Sequence, residues 1–452
     1  MSLFVRRPPT PFSRSKRRYH STPIACAGGR PSKTLTGRST PGRRKSFVQT
    51  VEPSLELPEL ELWRETFPYS AMGLKDRVSV KNPATADKLA KSFVYWNWNK
   101  MDEKKEPSNV KEYAEESEQQ EANADLESEL EPGNGKGKVI IEAFPGPGAL
   151  TRALMRLPEE RVRKLIVLED DELYYPWLKL LEKVDPRVHV IDKSGYSWET
   201  YEVIEELGLL DDVKKQPWEQ VHDDLHFISH IPTNIMGEQL VSQFFRCIPD
   251  QQWLYKFGRV PMSIILGARM WKRISAAPAT QDRCKVSVIA EATSAFAASL
   301  PPSRLLPYEE HFHPAFVREN RTGKEKHHGP LISINTLPLA QQVIDTYSLE
   351  KWDFCLRRLF VLKRTAIGKA VASLAPGANT LIKYLSDESS LPPKERLDLT
   401  KAINEMTVRD WSLVLKAFER WPFAPEDLLI SDGFNDDRDD GKRSQSTLAS
   451  PR

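Results

Sequence analysis

An α/β fold, with a doubly wound and largely parallel sheet followed by a smaller helical part, is what this chain predicts. Three observations lead there. Short apolar runs recur at 139–144, 164–169, 188–191, 225–230 and 260–266, separated by segments long enough for crossover helices. The first run feeds a glycine turn, Phe144-Pro145-Gly146-Pro147-Gly148, and then an amphipathic stretch. A strand, a turn and a helix in that order can cradle a nucleotide-like ligand. Beyond residue 338 strand signals fade, and helical periodicity marks 347–375, 380–385 and 407–420.

The 452 residues exceed one compact domain. Apolar residues make up 40%, enough for a core, while 65 basic and 63 acidic residues balance overall but not locally. Residues 1–50 contain no Asp or Glu and are rich in Arg, Lys and Ser, the composition of a mitochondrial transit segment. Within them Arg17-Arg18-Tyr19-His20-Ser21 resembles a processing site. A basic arm that touches nucleic acid is the alternative. Residues 51–101 carry helical signals, among them a helix start at Asn82-Pro83. Residues 102–137, dense in Glu, Gln, Ser and Asn, read as a solvated, disordered acidic insert. The α/β domain then spans 138–338, a helical domain 339–430 and a polar tail 431–452. Cys26, Cys247, Cys284 and Cys355 lie far apart without a metal-binding pattern, so reduced and mostly buried thiols are expected, and no metal. No apolar run approaches the roughly 20 residues of a membrane span, so a soluble chain with no membrane partner is expected.

The glycine turn defines a candidate ligand site. Gly146 and Gly148 would let the backbone approach a ligand where a side chain would collide. The helix beyond them would offer free N–H groups. Glu169 ends the second strand about twenty residues later, where an acid can accept hydrogen bonds from both hydroxyls of a ribose. A tight turn with acids at a helix start is the plainer reading of Glu169 to Glu172.

Here a resemblance enters. Glu142-x-x-Pro145-Gly146-x-Gly148-x-Leu150-Thr151 resembles the E-x-G-P-G-x-G-x-L-T signature of the rRNA adenine dimethyltransferase family. Val167-Leu168-Glu169-x-Asp171 looks like that family's second motif, and His230-Ile231-Pro232-Thr233-Asn234-Ile235 sits where it has N-[LI]-P-[YF]-N-I. The resemblance implies a Rossmann-like, S-adenosylmethionine-dependent methyltransferase fold with a smaller C-terminal helical domain. It implies a donor site at Glu142, Phe144, Gly146, Gly148, Glu169 and Ser194, and a degenerate catalytic motif at His230, Pro232 and Thr233.

Three departures fall on the chemistry. Phe144 replaces the first glycine, and Ser194 stands where the family's Asp holds the donor's adenine. His230 and Thr233 replace the Asn that positions the target amine and the aromatic that stacks on the flipped base. Catalysis is therefore expected to be lost. The aromatic at the first glycine, with Gly195-Tyr196-Ser197-Trp198 and the run from Cys247 to Val260, is similar to the fungal, mitochondrial transcription factor B-like branch. That branch implies a matrix factor whose partners are the mitochondrial RNA polymerase and promoter DNA, especially its melted single strand. An active mitochondrial rRNA adenine N6,N6-dimethyltransferase using S-adenosylmethionine is the alternative, and an RNA-binding assembly factor the third reading.

Holding a melted strand requires cations for phosphates and aromatics for unpaired bases. Trp253, Tyr255, Lys256 and Arg259 interleave the two types, Arg269, Lys272 and Arg273 line one helix, and Arg358, Lys363 and Arg364 crowd another. Helical spacing also suits Trp253 and Phe257 to a core face.

Overall fold

The computed structural model describes residues 51–68, 77–103, 136–314, 318–319, 325–326, 330–388, 391–425 and 427–428. The transit-like segment, most of the acidic insert and the tail lie outside the described residues.

Seven strands form one sheet: β1 (Lys138–Ala143), β2 (Val162–Leu168), β3 (Val188–Ile191), β4 (Leu225–His230), β5 (Met262–Gly267), β6 (Ser294–Ala298) and β7 (Leu331–Pro338). Their spatial order is β3-β2-β1-β4-β5-β7-β6. Neighbours among β1 to β5 run parallel, and β7 runs antiparallel to β5 and β6. This is the Rossmann-like methyltransferase arrangement. The five strands expected from sequence are present within two residues. The strands β6 and β7 are additions.

Helices cover both faces. α1 (Pro83–Val94) starts as expected: Asn82 caps it, its Oδ1 accepting from the Ala84 and Thr85 amides at 2.9 and 3.2 Å. With α3 (Ala149–Met155) it buries Ile140, Val167, Ile228 and Ile265 of the sheet. α2 (Trp98–Glu103) places Trp98 and Met101 against β6 and β7. A single turn at Trp63–Thr66 packs with Phe67 against Tyr174 and Trp177, next to α4 (Tyr175–Lys179). The segment before α1 is not purely helical, because Ser79–Val80 pairs with Phe312–His313.

The opposite face buries Ile141, Ile166, Phe227 and Ile264 under α5 (Trp198–Glu206), α6 (Ile235–Arg246) and α8 (Lys285–Thr293). The same core runs on into α9 (Leu349–Phe360), α10 (Ile367–Ala370), α11 (Leu381–Ser386) and α12 (Val408–Arg420). The long helix expected over 347–375 is broken after Phe360, where Ala366 bridges to Ala402. Cys247 and Cys355 are buried and Cys284 is half-buried. Among the described residues no helix is long and apolar enough to cross a membrane.

Candidate functional site

The strand order reverses between β1 and β4, and the crevice at the carboxyl ends of such strands is where α/β sheets bind ligands. Ala143 lies opposite Ser229. Phe144 and His230 therefore leave the sheet side by side.

Phe144 adopts a left-handed backbone conformation, φ 59°, which costs a bulky residue strain and a glycine nothing. Its side chain is buried. A Cβ placed on Gly195 would sit 3.3 Å from Phe144 Cε2, so the ring closes the gap between the end of β1 and the loop after β3. Arg77 lies over this ring, its guanidinium carbon 5.1 Å from the Phe144 centroid and 5.6 Å from that of Tyr174.

The Arg77 guanidinium also donates from Nη2 to Glu169 Oε2 at 2.5 Å. The same oxygen accepts the Gly146 amide at 3.1 Å, and Oε1 accepts the Asp171 amide at 3.2 Å. Burial pushes the Glu169 carboxyl above its usual range, against the pull of Arg77 and the Asp171 amide. Burial opposes the Arg77 cation as well, but Glu169 keeps it protonated. S-adenosylmethionine does not fit this arrangement. The acid that would receive its ribose hydroxyls already holds three donors, and the ring fills the space beside it.

The glycines prove to be required by the chain itself. A Cβ on Gly146, φ 63°, would lie 2.1 Å from Ser79 Oγ, and one on Gly148, φ 90°, would lie 2.4 Å from Leu178 Cδ2. The expected helix beyond the turn, α3, has seven residues. Ser194 Oγ accepts the Tyr196 amide at 3.4 Å, and its carbonyl accepts Thr200 Oγ1 at 2.7 Å. Glu142 is 1% exposed, and neither of its oxygens has a hydrogen-bond partner among the described residues, the nearby Thr151 hydroxyl lying outside hydrogen-bonding geometry. Burial pushes its carboxyl up to about 8.

In the degenerate fourth motif, His230 is buried, with its ring 6.1 Å from that of Phe312 in an edge arrangement. Pro232 and Thr233 are half-buried. Asn234 caps α6, accepting the Gly237 amide at 2.9 Å. Directly after it Ile235 is 74% exposed and Met236 is 51% exposed, an apolar rim that sequence reasoning missed. A Cβ on Gly267 would lie 4.0 Å from Thr233 Cγ2, which puts the start of α7 (Ala268–Ile274) beside this rim.

The cation and aromatic set divides. Tyr255 and Arg259 are buried, and Trp253 stacks on Phe244 at 4.8 Å among Phe227, Tyr201 and Trp198. Arg259 pairs with Asp102 and donates to the Pro338 carbonyl at 3.0 Å. Tyr255 and Arg259 are core and Trp253 is half-buried against it, which corrects their assignment as a nucleic-acid surface: a ring face stacked on Phe244 is not left for a base. Lys256 is exposed and paired with Glu205. Arg269 and Lys272 are exposed, and Arg273 pairs with Glu238 of α6. Arg358 and Arg364 are exposed, while half-buried Lys363 donates to the Gln281 carbonyl at 2.5 Å, in the loop beyond α7.

A model of the family described as "Ribosomal RNA adenine dimethylase" matches residues 122–407. The chain belongs to that family. It is 24% identical over 302 residues to "Mitochondrial transcription factor 1" of Saccharomyces paradoxus, covering 64% of this chain and 82% of the relative. Similarity to "Dimethyladenosine transferase 1, mitochondrial" of Pongo abelii is shorter, 24% over 160 residues, covering 35% of this chain and 44% of that one. Among solved structures, a dimethyladenosine transferase from Plasmodium falciparum superposes with a TM-score of 0.42 at 12% identity, over 75% of this chain and 97% of that one. Arg77 was not foreseen. It stands 92 residues from Glu169 and belongs to no motif, so only the folded chain brings the two together.

Proposed function

We propose that this chain is a mitochondrial transcription initiation factor of the matrix that no longer transfers methyl groups. It holds the melted strand of promoter DNA for the mitochondrial RNA polymerase. The observation that carries the reading is the occupied carboxylate of Glu169, in a chain similar to a mitochondrial transcription factor over 82% of that relative's length. A methyltransferase needs that carboxylate free for its donor. Thr233 supplies no ring on which a target adenine could stack. The acid-free residues 1–50 support import into mitochondria.

The surface that remains suits a single strand. Exposed Arg269 and Lys272 neutralise phosphates, and Ile235 and Met236 offer apolar contact to unpaired bases. Arg358 and Arg364 extend the cationic surface on the helical part. Binding to duplex promoter, to promoter with a pre-melted bubble and to small-subunit rRNA, measured across a salt series, tests the reading. Tighter binding to the bubble is expected, with no methylation of the rRNA. The double substitution Arg269→Ala, Lys272→Ala is expected to reduce the slope of log affinity against log salt by about 2, near one per lost phosphate contact. Methylation of adenine in the rRNA, or equal affinity for bubble and duplex, overturns it.

A further inference from the structure

We propose that Arg77 is a built-in substitute for a nucleoside ligand, and that Arg77 and Phe144 together are what exclude an S-adenosyl nucleoside from a cleft otherwise able to accept one. The inference rests on the reading that methyl transfer has been lost, and it identifies how the site was closed.

The geometry divides the closure between two side chains. A ribose would present two hydroxyl donors to Glu169. Arg77 presents a guanidinium donor to the same carboxylate, with Nη2 at 2.5 Å from Oε2. A nucleobase or sulfonium chain would occupy the space between the end of β1 and Gly195. The Phe144 ring occupies it, with Cε2 3.3 Å from where a Gly195 Cβ would be. The two substitutes hold each other, because Arg77 stacks on the Phe144 ring at 5.1 Å and on Tyr174 at 5.6 Å. The segment that brings Arg77 in is anchored independently. Ser79–Val80 pairs with Phe312–His313, and Ser79 lies over Gly146. The rest of the frame is retained: the Gly146 amide still reaches Glu169 at 3.1 Å, and the Gly195 backbone still lines the opposite wall.

Two consequences follow. Removing Arg77 alone frees the acid but leaves the ring, and removing Phe144 alone frees the space but leaves the acid occupied. Each single change opens the site in part, and only the joint change opens it fully. A chain that spends less than about a tenth of its time open binds at least about tenfold more weakly than its open form.

Isothermal titration of the full chain with S-adenosylhomocysteine tests this, using wild type, Arg77→Ala, Phe144→Gly and the double variant. Wild type is expected to show no saturable heat, and the double variant a saturable isotherm with affinity at least about tenfold above either single variant. Binding of bubble DNA is expected to be unchanged, since both side chains are buried. Circular dichroism establishes which variants fold. If the double variant does not, thermal melting of the two single variants with and without the ligand decides. A ligand-induced rise in Tm for either, absent in wild type, supports the proposal. A folded double variant that ignores the ligand overturns it, as do two single variants whose Tm the ligand leaves unmoved. Saturable binding by wild type would sink both this proposal and the reading beneath it. Failure of the double variant alone leaves that reading standing.

Discussion

Glu142→Gln isolates the cost of the charge that the closed cleft keeps buried. In the folded chain burial raises the Glu142 carboxyl from 4.5 to about 8, the nearby Thr151 hydroxyl and Arg152 cation lowering it too little to compensate. Between those two values the folded state holds a proton that the unfolded state has released. More protons are bound to the folded form, so its stability falls as pH rises through this window and levels off above pH 8. Each pH unit is worth about 1.4 kcal/mol, so the span from 4.5 to 8 sets a ceiling of about 5 kcal/mol. Glutamine keeps the shape and removes the titration. Its amide brings donors of its own into a dry site, a cost of about 1–3 kcal/mol that does not depend on pH. The diagnostic is therefore the difference between two pH values. Thermal melts of both proteins at pH 5.5 and pH 8 are expected to show the variant gaining on wild type by about 2–4 kcal/mol between them. Buried His222, His226 and His313, all held below their usual value by burial, also titrate, but equally in both proteins. Parallel stability curves would refute the reasoning and place the Glu142 charge in contact with water.

Two further substitutions separate packing from binding. Trp253→Ala removes a ring stacked at 4.8 Å on Phe244 and is expected to cost about 3–5 kcal/mol in urea unfolding, while the salt dependence of DNA binding stays as in wild type. An unchanged stability with weaker DNA binding would return Trp253 to the surface. Asp102→Asn leaves the Arg259 cation, 0% exposed, without its carboxylate. The expected loss is about 2–3 kcal/mol, below the usual cost of breaking a fully buried pair because Asp102 is 30% exposed on the side chain; a loss under about 0.5 kcal/mol would count against the pair.

What sequence could and could not reveal follows from the range of the forces involved. The five parallel strands were legible because a strand buried on both faces must be a continuous apolar run. Asn82-Pro83 was legible because a helix cap is settled within three residues. β7 was missed because Ser333, Asn335 and Thr336 read as surface yet are buried. Ser263 Oγ donates to Asn335 Oδ1 at 2.6 Å, and Asn335 Nδ2 reaches the Ser92 carbonyl at 3.2 Å. The break after Phe360 was hidden because helical periodicity continues across it. Trp253, Tyr255 and Arg259 show the deeper ambiguity. A base platform and an aromatic core call for the same residue types, and the partner that decides, Asp102, lies 157 residues away from Arg259.

The cleft's two acids suggest why closure took this form. The Glu169 charge raises the Glu142 carboxyl further, beyond burial, so emptying the cleft of a cationic ligand would leave two buried acids in one site. One can remain protonated, as Glu142 does with its value near 8, at a cost that grows from about pH 4.5 up to that value. The other is tied to the Gly146 and Asp171 amides, which favour the ionised form, and so requires a cation. Arg77 supplies it in a geometry that a neutral residue could not reproduce, and the Phe144 ring keeps water from competing for it. A buried acid inherited from a ligand site is costly to leave unpaired and costly to remove piecemeal. Filling the cleft from within resolves both constraints, and it leaves Ile235, Met236, Arg269 and Lys272 exposed.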